Sequence, residues 1–261
     1  MQPSLLTWCH RLLHPWLPNC CLWCSLPVQQ ATAQLCGFCE ADLPTIKYLG
    51  EPTNALVLPA IARGLQQHRF QQLLCVSWYQ QPWQHWISQW KFEQDLACGD
   101  LLLQQFASHC QTWRKSLQVE GVCYVPMHAK RARQRGFNQA KQLATVAALA
   151  LDLPLLDLFA VKHDYPHQVG QSRQQRRANL RKQFRLTQTS ALPKRLLLVD
   201  DVVTTGATTN ALCRLLQKQQ VSFIAVACIA VTQAPRVAKG LYLDALTANA
   251  DALSTPPAPN E

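Results

Sequence analysis

The chain has 261 residues, 48% of them hydrophobic, and carries 25 Lys and Arg against 15 Asp and Glu, a formal net charge of +10. That length accommodates one ordinary domain and a small accessory module, and the apolar share, with no long low-complexity tract, excludes a disordered chain. With no apolar run of about 18 residues we expect no membrane span, and Met1 to Cys20 lacks the charged start, apolar core and small-residue cleavage site of a signal peptide. We therefore expect a cytoplasmic chain whose twelve cysteines stay mostly reduced and unpaired.

Residues 1–19 read as a short irregular or helical lead. Cys21-Leu-Trp-Cys24 and Cys36-Gly-Phe-Cys39 follow, with eleven residues between the pairs. Two Cys-x-x-Cys knuckles at such spacing can set four thiolates tetrahedrally around zinc. A single pair would suit redox chemistry instead, and Cys20 stands beside the first ligand as an alternative to Cys21. Four thiolates leave no open coordination position, so the expected zinc is structural. Cys9, Cys75, Cys98, Cys110, Cys123, Cys213 and Cys228 sit singly among apolar residues and read as small core residues.

Pro44, Pro52 and Pro59 mark residues 40–70 as a connector, with one short helix near Leu56 to Leu65. Leu73 to Tyr79 reads as a strand, and Trp83 to Trp90 and Leu96 to Trp113 as two helices separated by Lys91 to Asp95. Trp78, Trp83, Trp86 and Trp90 suit core packing better than a base-stacking platform. Val122 to Pro126 is a second strand. Lys130, Arg131, Arg133 and Arg135 crowd just past its end, where parallel sheets bind ligands. We expect a flexible basic loop there that meets a pyrophosphate. Gly136 breaks it, and Asn138 starts a helix over Gln139 to Leu149. Residues 130–195 hold fourteen of the Lys and Arg but only three acids, an excess that points to nucleotide or nucleic-acid phosphates. The polar stretch 162–185, with Arg173, Arg176, Arg177 and Arg181, reads as a mobile loop able to close over an anion or grip a single strand.

The most distinctive chemistry lies in Lys194 to Leu212. Leu196 to Val199 is a continuous apolar run, as in a parallel strand buried on both faces. Asp200 and Asp201 follow at its end, then Thr204-Thr205-Gly206-Ala207-Thr208, then helical spacing through Leu216. A loop entering a helix offers free N–H groups and the positive end of the helix dipole to a phosphate, and Gly206 permits close backbone approach. The paired carboxylates would repel phosphate, so they suit sugar hydroxyls or a divalent cation. Phosphate at one end and a diol at the other describe a ribose 5-phosphate. Val221 to Val231 is a late strand, and the Pro- and Ala-rich end reads as a disordered tail.

Lys194 to Leu212 resembles the phosphoribosyl pyrophosphate (PRPP) motif of type I phosphoribosyltransferases. That resemblance implies a PRPP-type ligand with magnesium, ribose hydroxyls at Asp200 and Asp201, and the 5-phosphate on Thr204, Thr205, Gly206, Ala207 and Thr208. The paired Cys-x-x-Cys, Lys91-Phe with Asp95, Val125-Pro126, Arg131 to Arg135-Gly-Phe-Asn-Gln139, Gln168, Arg177-x-Asn179 and Phe184 together resemble the ComF/GntX family. Val161 and Tyr165 depart from that family's pattern. The resemblance implies an α/β fold, with a type I phosphoribosyltransferase-like parallel sheet flanked by helices and a small N-terminal four-cysteine zinc-ribbon-like module. We expect residues 1–60 to form that module and its connector, 61–240 the phosphoribosyltransferase-like domain and 241–261 the tail. It further implies a role in DNA uptake (competence) or DNA utilisation. With the two basic stretches we expect contact with single-stranded DNA, Arg131, Arg133, Arg135 and Arg177 meeting pyrophosphate or DNA, and partners among competence proteins. Two other readings stay open: a transferase acting on a small nucleophile, in which Asp200 and Asp201 would be catalytic, and a non-catalytic PRPP sensor.

Overall fold

A computed structural model describes residues 19–28, 33–48, 53–65, 68–162, 183–187 and 191–234. The expected lead before residue 19, most of the expected closing loop including Arg177, and the expected tail lie outside the described residues. The strands are β1 (Gln72–Trp78), β2 (Gly121–Tyr124), β3 (Leu155–Leu156), β4 (Phe159–Val161), β5 (Phe184–Leu186), β6 (Arg195–Val203) and β7 (Phe223–Val231). Five of them form one parallel sheet in the spatial order β1-β7-β6-β2-β3, while β4 and β5 pair antiparallel beside it.

The sheet is covered on both faces, which is why its strands are continuously apolar rather than alternating. Leu74, Val76, Leu197, Val199, Ala225, Ala227 and Ile229 share one core with the buried Trp83, Trp86, Trp90, Leu102, Phe106 and Leu143. Helices α3 (Trp83–Ser88), α4 (Leu96–Trp113) and α6 (Gln139–Leu151) supply most of that helical side. Leu73, Cys75, Leu196, Leu198, Ile224, Val226 and Cys228 face the opposite core with Ile61 of α2 (Pro59–Ala62) and Leu212 and Leu216 of α7 (Ala207–Lys218). The three tryptophans are thus core residues, and Cys75, Cys98, Cys110, Cys123, Cys213 and Cys228 are all buried, as expected.

The Cys knuckle, with α1 (Gly37–Ala41), sits on the tryptophan face. Cys21, Val28 and Leu35 join that core, Trp86 Nε1 donates to Leu22 O at 3.2 Å, and Trp23 meets the Trp86 ring edge-on at 6.3 Å. The connector then runs along β1. Ile46 N donates to Val76 O at 2.8 Å, and the Tyr48 hydroxyl both donates to Cys75 O at 2.7 Å and accepts from Cys75 N at 2.6 Å.

Three local expectations are corrected. β6 does not end at Val199: it continues through both aspartates because β7 is equally long and stays paired with it, Asp200 opposite Cys228 and Val203 opposite Val231. The expected basic loop is instead helix α5 (Ala129–Arg135), whose Ala, Arg, Lys and Gln are strong helix formers. Gln89–Glu93 continues α3 as a π-helical turn and closes at Gln94 in the left-handed region, φ +56°. Among the described residues no helix is long and apolar enough to cross a membrane.

The sheet order positions a crevice. From β2 the chain winds outward to β3, and from β6 it winds the opposite way to β7. The direction therefore reverses between β2 and β6, and in open parallel sheets the crevice beyond the strands' carboxyl ends at such a point receives ligands.

Candidate functional site

Asp200 and Asp201 stand at the carboxyl end of β6, at that reversal. Successive strand residues point to opposite sides of the sheet, so the two side chains diverge, and Asp200 Oδ1 accepts the Asp201 N–H at 2.9 Å. Burial of the Asp200 carboxyl, reinforced by the Asp201 charge, raises its pKa from the ordinary 3.8 to about 7, against the opposing pull of Lys91 and of that backbone bond.

Beyond Val203 the chain turns through Gly206, at φ +68°. A Cβ there would stand 3.0 Å from Leu65 Cδ2, so both the backbone sign and the floor of the turn favour glycine. Gly206 O accepts from Asn210 N at 2.8 Å and from Thr209 Oγ1 at 2.9 Å, opening α7. No side chain caps this helix start. The N–H groups of its first turn lack helical partners, and Thr204 and Thr205 are exposed beside them. The Thr204 carbonyl is tied to Thr232 Oγ1 at 3.2 Å, which braces the loop against the end of β7.

Cations from two distant segments border the acidic pair. Lys91 Nζ lies 2.8 Å from Asp201 Oδ2, with the two side chains only 15% and 17% exposed. The α5 helix brings Arg135 into electrostatic reach of Asp201, while burial and the nearby Arg131 lower its pKa. Arg135 stacks over the Phe92 ring at 5.0 Å and donates to Gln139 Oε1 at 3.4 Å. Gln139 is fully buried, and its Nε2 has no partner among the described residues. Asn138 anchors the start of α6, donating to Val125 O at 3.1 Å while its Oδ1 accepts the Lys141 N–H. Arg131 and Arg133 are exposed to solvent, and Arg135 is the half-buried α5 arginine that acts on Asp201.

A second constellation lies on the tryptophan face. The Sγ atoms of Cys21, Cys24, Cys36 and Cys39 are all within 4.8 Å of one another, and those of Cys24 and Cys36 are 3.8 Å apart. Thiolates about 2.3 Å from a shared tetrahedral zinc would be separated by about 3.8 Å, so this donor set fits a metal ion. Cys21, and not the adjacent Cys20, is the residue whose Sγ joins this cluster. Burial works against ionising Cys21, but N–H groups of Cys24, Cys36 and Trp23 outweigh it and bring its pKa down to about 6. Desolvation and the neighbouring thiols push Cys39 upward instead. A bound divalent cation removes that conflict, because it lets all four thiols lose their protons.

Comparison with known proteins agrees with this architecture. The phosphoribosyl transferase domain matches residues 134–244, a span that contains α6, β6, the Gly206 turn and α7. Over 216 residues the chain is 30% identical to competence protein F of Haemophilus influenzae, covering 79% of this chain and 94% of that protein. The chain belongs to the ComF family. This ComF-family chain is also 29% identical over 227 residues to the DNA utilization protein YhgH of Escherichia coli K12, covering 83% of this chain and 98% of that protein. A solved adenine phosphoribosyltransferase overlaps 54% of the ComF-family chain and 73% of its own at 12% identity and a TM-score of 0.35; the fold class rests on the strand order itself.

Sequence reasoning placed the aspartates, the Thr/Gly loop and the four cysteines. It did not find that Lys91 pairs with Asp201 or that Phe92 carries Arg135. Lys91 and Asp201 are far apart in sequence, and no local pattern around either announces the other.

Proposed function

We propose that this ComF-family protein binds PRPP with magnesium at the carboxyl end of β6 and acts in DNA uptake or DNA utilisation, contacting single-stranded DNA. In this reading Asp200 and Asp201 face the ribose hydroxyls and the cation. The exposed Thr204 and Thr205, Gly206, Ala207 and Thr208 receive the 5-phosphate on free N–H and hydroxyl groups. Arg135 meets the pyrophosphate, and Arg131 and Arg133 are left for a DNA backbone. Cys21, Cys24, Cys36 and Cys39 hold a structural zinc. The observation that carries the reading is the shared strand end: an acidic pair and an uncapped, glycine-turned helix start lie on one side of the reversal point in the sheet. The relatives named for competence and DNA utilisation support the biological setting.

Calorimetric titration of PRPP with Mg²⁺ tests it. We expect saturable binding to the wild type and loss of at least about tenfold in affinity, roughly 1.4 kcal/mol, in Asp200→Ala/Asp201→Ala. The same titration with a short single-stranded oligonucleotide present should shift the PRPP affinity. Wild-type protein that ignores PRPP would reject the reading.

A further inference from the structure

The Lys91–Asp201 contact is carried by the π-helical turn that continues α3. Trp90, in the same π-helical turn, is 2% exposed. Its indole lies so close over Gly99 of α4 that a Cβ there would come within 2.5 Å of Nε1, and its ring packs against Phe137 at 5.8 Å. The backbone that carries Lys91 is therefore held in the core, while the lysine's flexible stem delivers a compact, strongly hydrated ammonium to Asp201 Oδ2 at 2.8 Å. The pair is nearly enclosed, at 15% and 17% exposure, at the end of β6 that borders the reversal in the sheet. A divalent cation binding Asp201 would need the same carboxylate oxygens, and an ammonium left beside it would repel it at short range in a partly dehydrated setting.

We propose that Lys91 is the resident cation of the acidic pair: its ammonium fills the place at Asp201 that a divalent cation would take, and yields it when a polyanionic ligand arrives with that cation. Lys91 and Arg135 act on the two carboxyl groups, and Arg131 adds a further positive charge beside Arg135. A free divalent ion would add to that positive charge, and one already carrying phosphate groups would not. The turn stays fixed by Trp90 while the lysine side chain rotates away from the carboxylate toward the incoming negative charge. Which ligand displaces it rests on the ribose-phosphate reading above. The exclusion of free cations does not.

The test is Mn²⁺ binding to the full chain without PRPP, read from the electron paramagnetic resonance signal of free Mn²⁺. Lys91→Met should raise Mn²⁺ affinity roughly tenfold over wild type, and Lys91→Arg, which keeps the charge, should leave it within about twofold. Adding Asp201→Asn to Lys91→Met should abolish the gain. Lys91→Gln serves as a second neutral variant, with near-ultraviolet circular dichroism checking that both retain native packing. Unchanged Mn²⁺ affinity in folded neutral variants overturns the proposal, as does an equal gain in Lys91→Arg. PRPP titrated into the wild type separates the two readings. No PRPP binding together with the Mn²⁺ gain supports the resident-cation role while rejecting the ribose-phosphate ligand. PRPP binding with no gain rejects the resident-cation role alone.

Discussion

The Cys cluster and the end of β6 are both gatherings of titratable groups, and they solve their electrostatics in opposite ways. The cluster takes Cys21, Cys24, Cys36 and Cys39 from one short segment. It assembles groups that would all be negative once ionised, so it calls for an ion from outside. The end of β6 takes Lys91, Arg135 and the two aspartates from three separated segments, and supplies its positive charge from within the chain. A self-contained knuckle follows from spacing alone. A crevice of mixed charge needs the whole sheet topology to bring its members together, and such a crevice is suited to exchanging partners rather than holding one permanently.

The largest effect expected from breaking this comparison is at the knuckle. With zinc on the four thiolates, Cys36→Ser should lower stability by on the order of 3–5 kcal/mol and reduce the zinc content, read by thermal melting alongside metal analysis. A variant as stable as wild type, with both proteins metal-free, would remove the ion from the comparison. The crevice should respond more selectively. Arg135→Ala should weaken PRPP binding by about 1.5–3 kcal/mol, the range for hydrogen bonds to charged groups. Arg133→Ala, on the solvent side of α5, should change it by less than about 0.5 kcal/mol. Equal losses in a PRPP titration would mean that α5 acts as an undirected basic surface.

The smallest effect is a pH dependence. Burial and the neighbouring Asp201 charge push the Asp200 carboxyl up from an ordinary 3.8 to about 7. A raised acid is stabilised in its protonated form by folding, so its ionisation removes stability as pH climbs from about 4 to 7, with the full penalty above that. Asp200→Asn should therefore be more stable than wild type by roughly 1–2 kcal/mol at pH 8, with the gap closing toward pH 4. Denaturant melts at the two pH values measure it, and a gap that does not change with pH would show that Asp200 ionises freely.

Elements with local causes were legible in the sequence. Leu96–Trp113 and the Asn138-capped α6 carry their own caps and periodicity, and Leu196 to Val199 declares a doubly covered strand. The acidic pair was legible as chemistry but its place was not. Asp200 and Asp201 continue the strand because Cys228 to Val231 lie alongside them, a partner that no window around the aspartates contains. The α5 helix is hard to see in sequence because its run of charges resembles a solvated loop, while the helix-forming tendency of the same residues decides the structure. Lys91 reached Asp201 through a π-helical turn pinned by Trp90 against Gly99, and a contact of that kind is set by packing between remote elements.

The connector between the knuckle and the sheet has a consequence of its own. Tyr48 and Ile46 occupy backbone groups of β1 that would otherwise be open, and β1 is the outermost strand on its side of the sheet. A long, apolar, unguarded rim invites strand addition from a neighbouring chain. Cutting the protein just ahead of β1, in order to study the sheet without the cysteines, would bare that rim and yield a fragment prone to self-association. The segment around Tyr48 therefore acts as a solubility guard, and the knuckle and sheet are best handled as one piece.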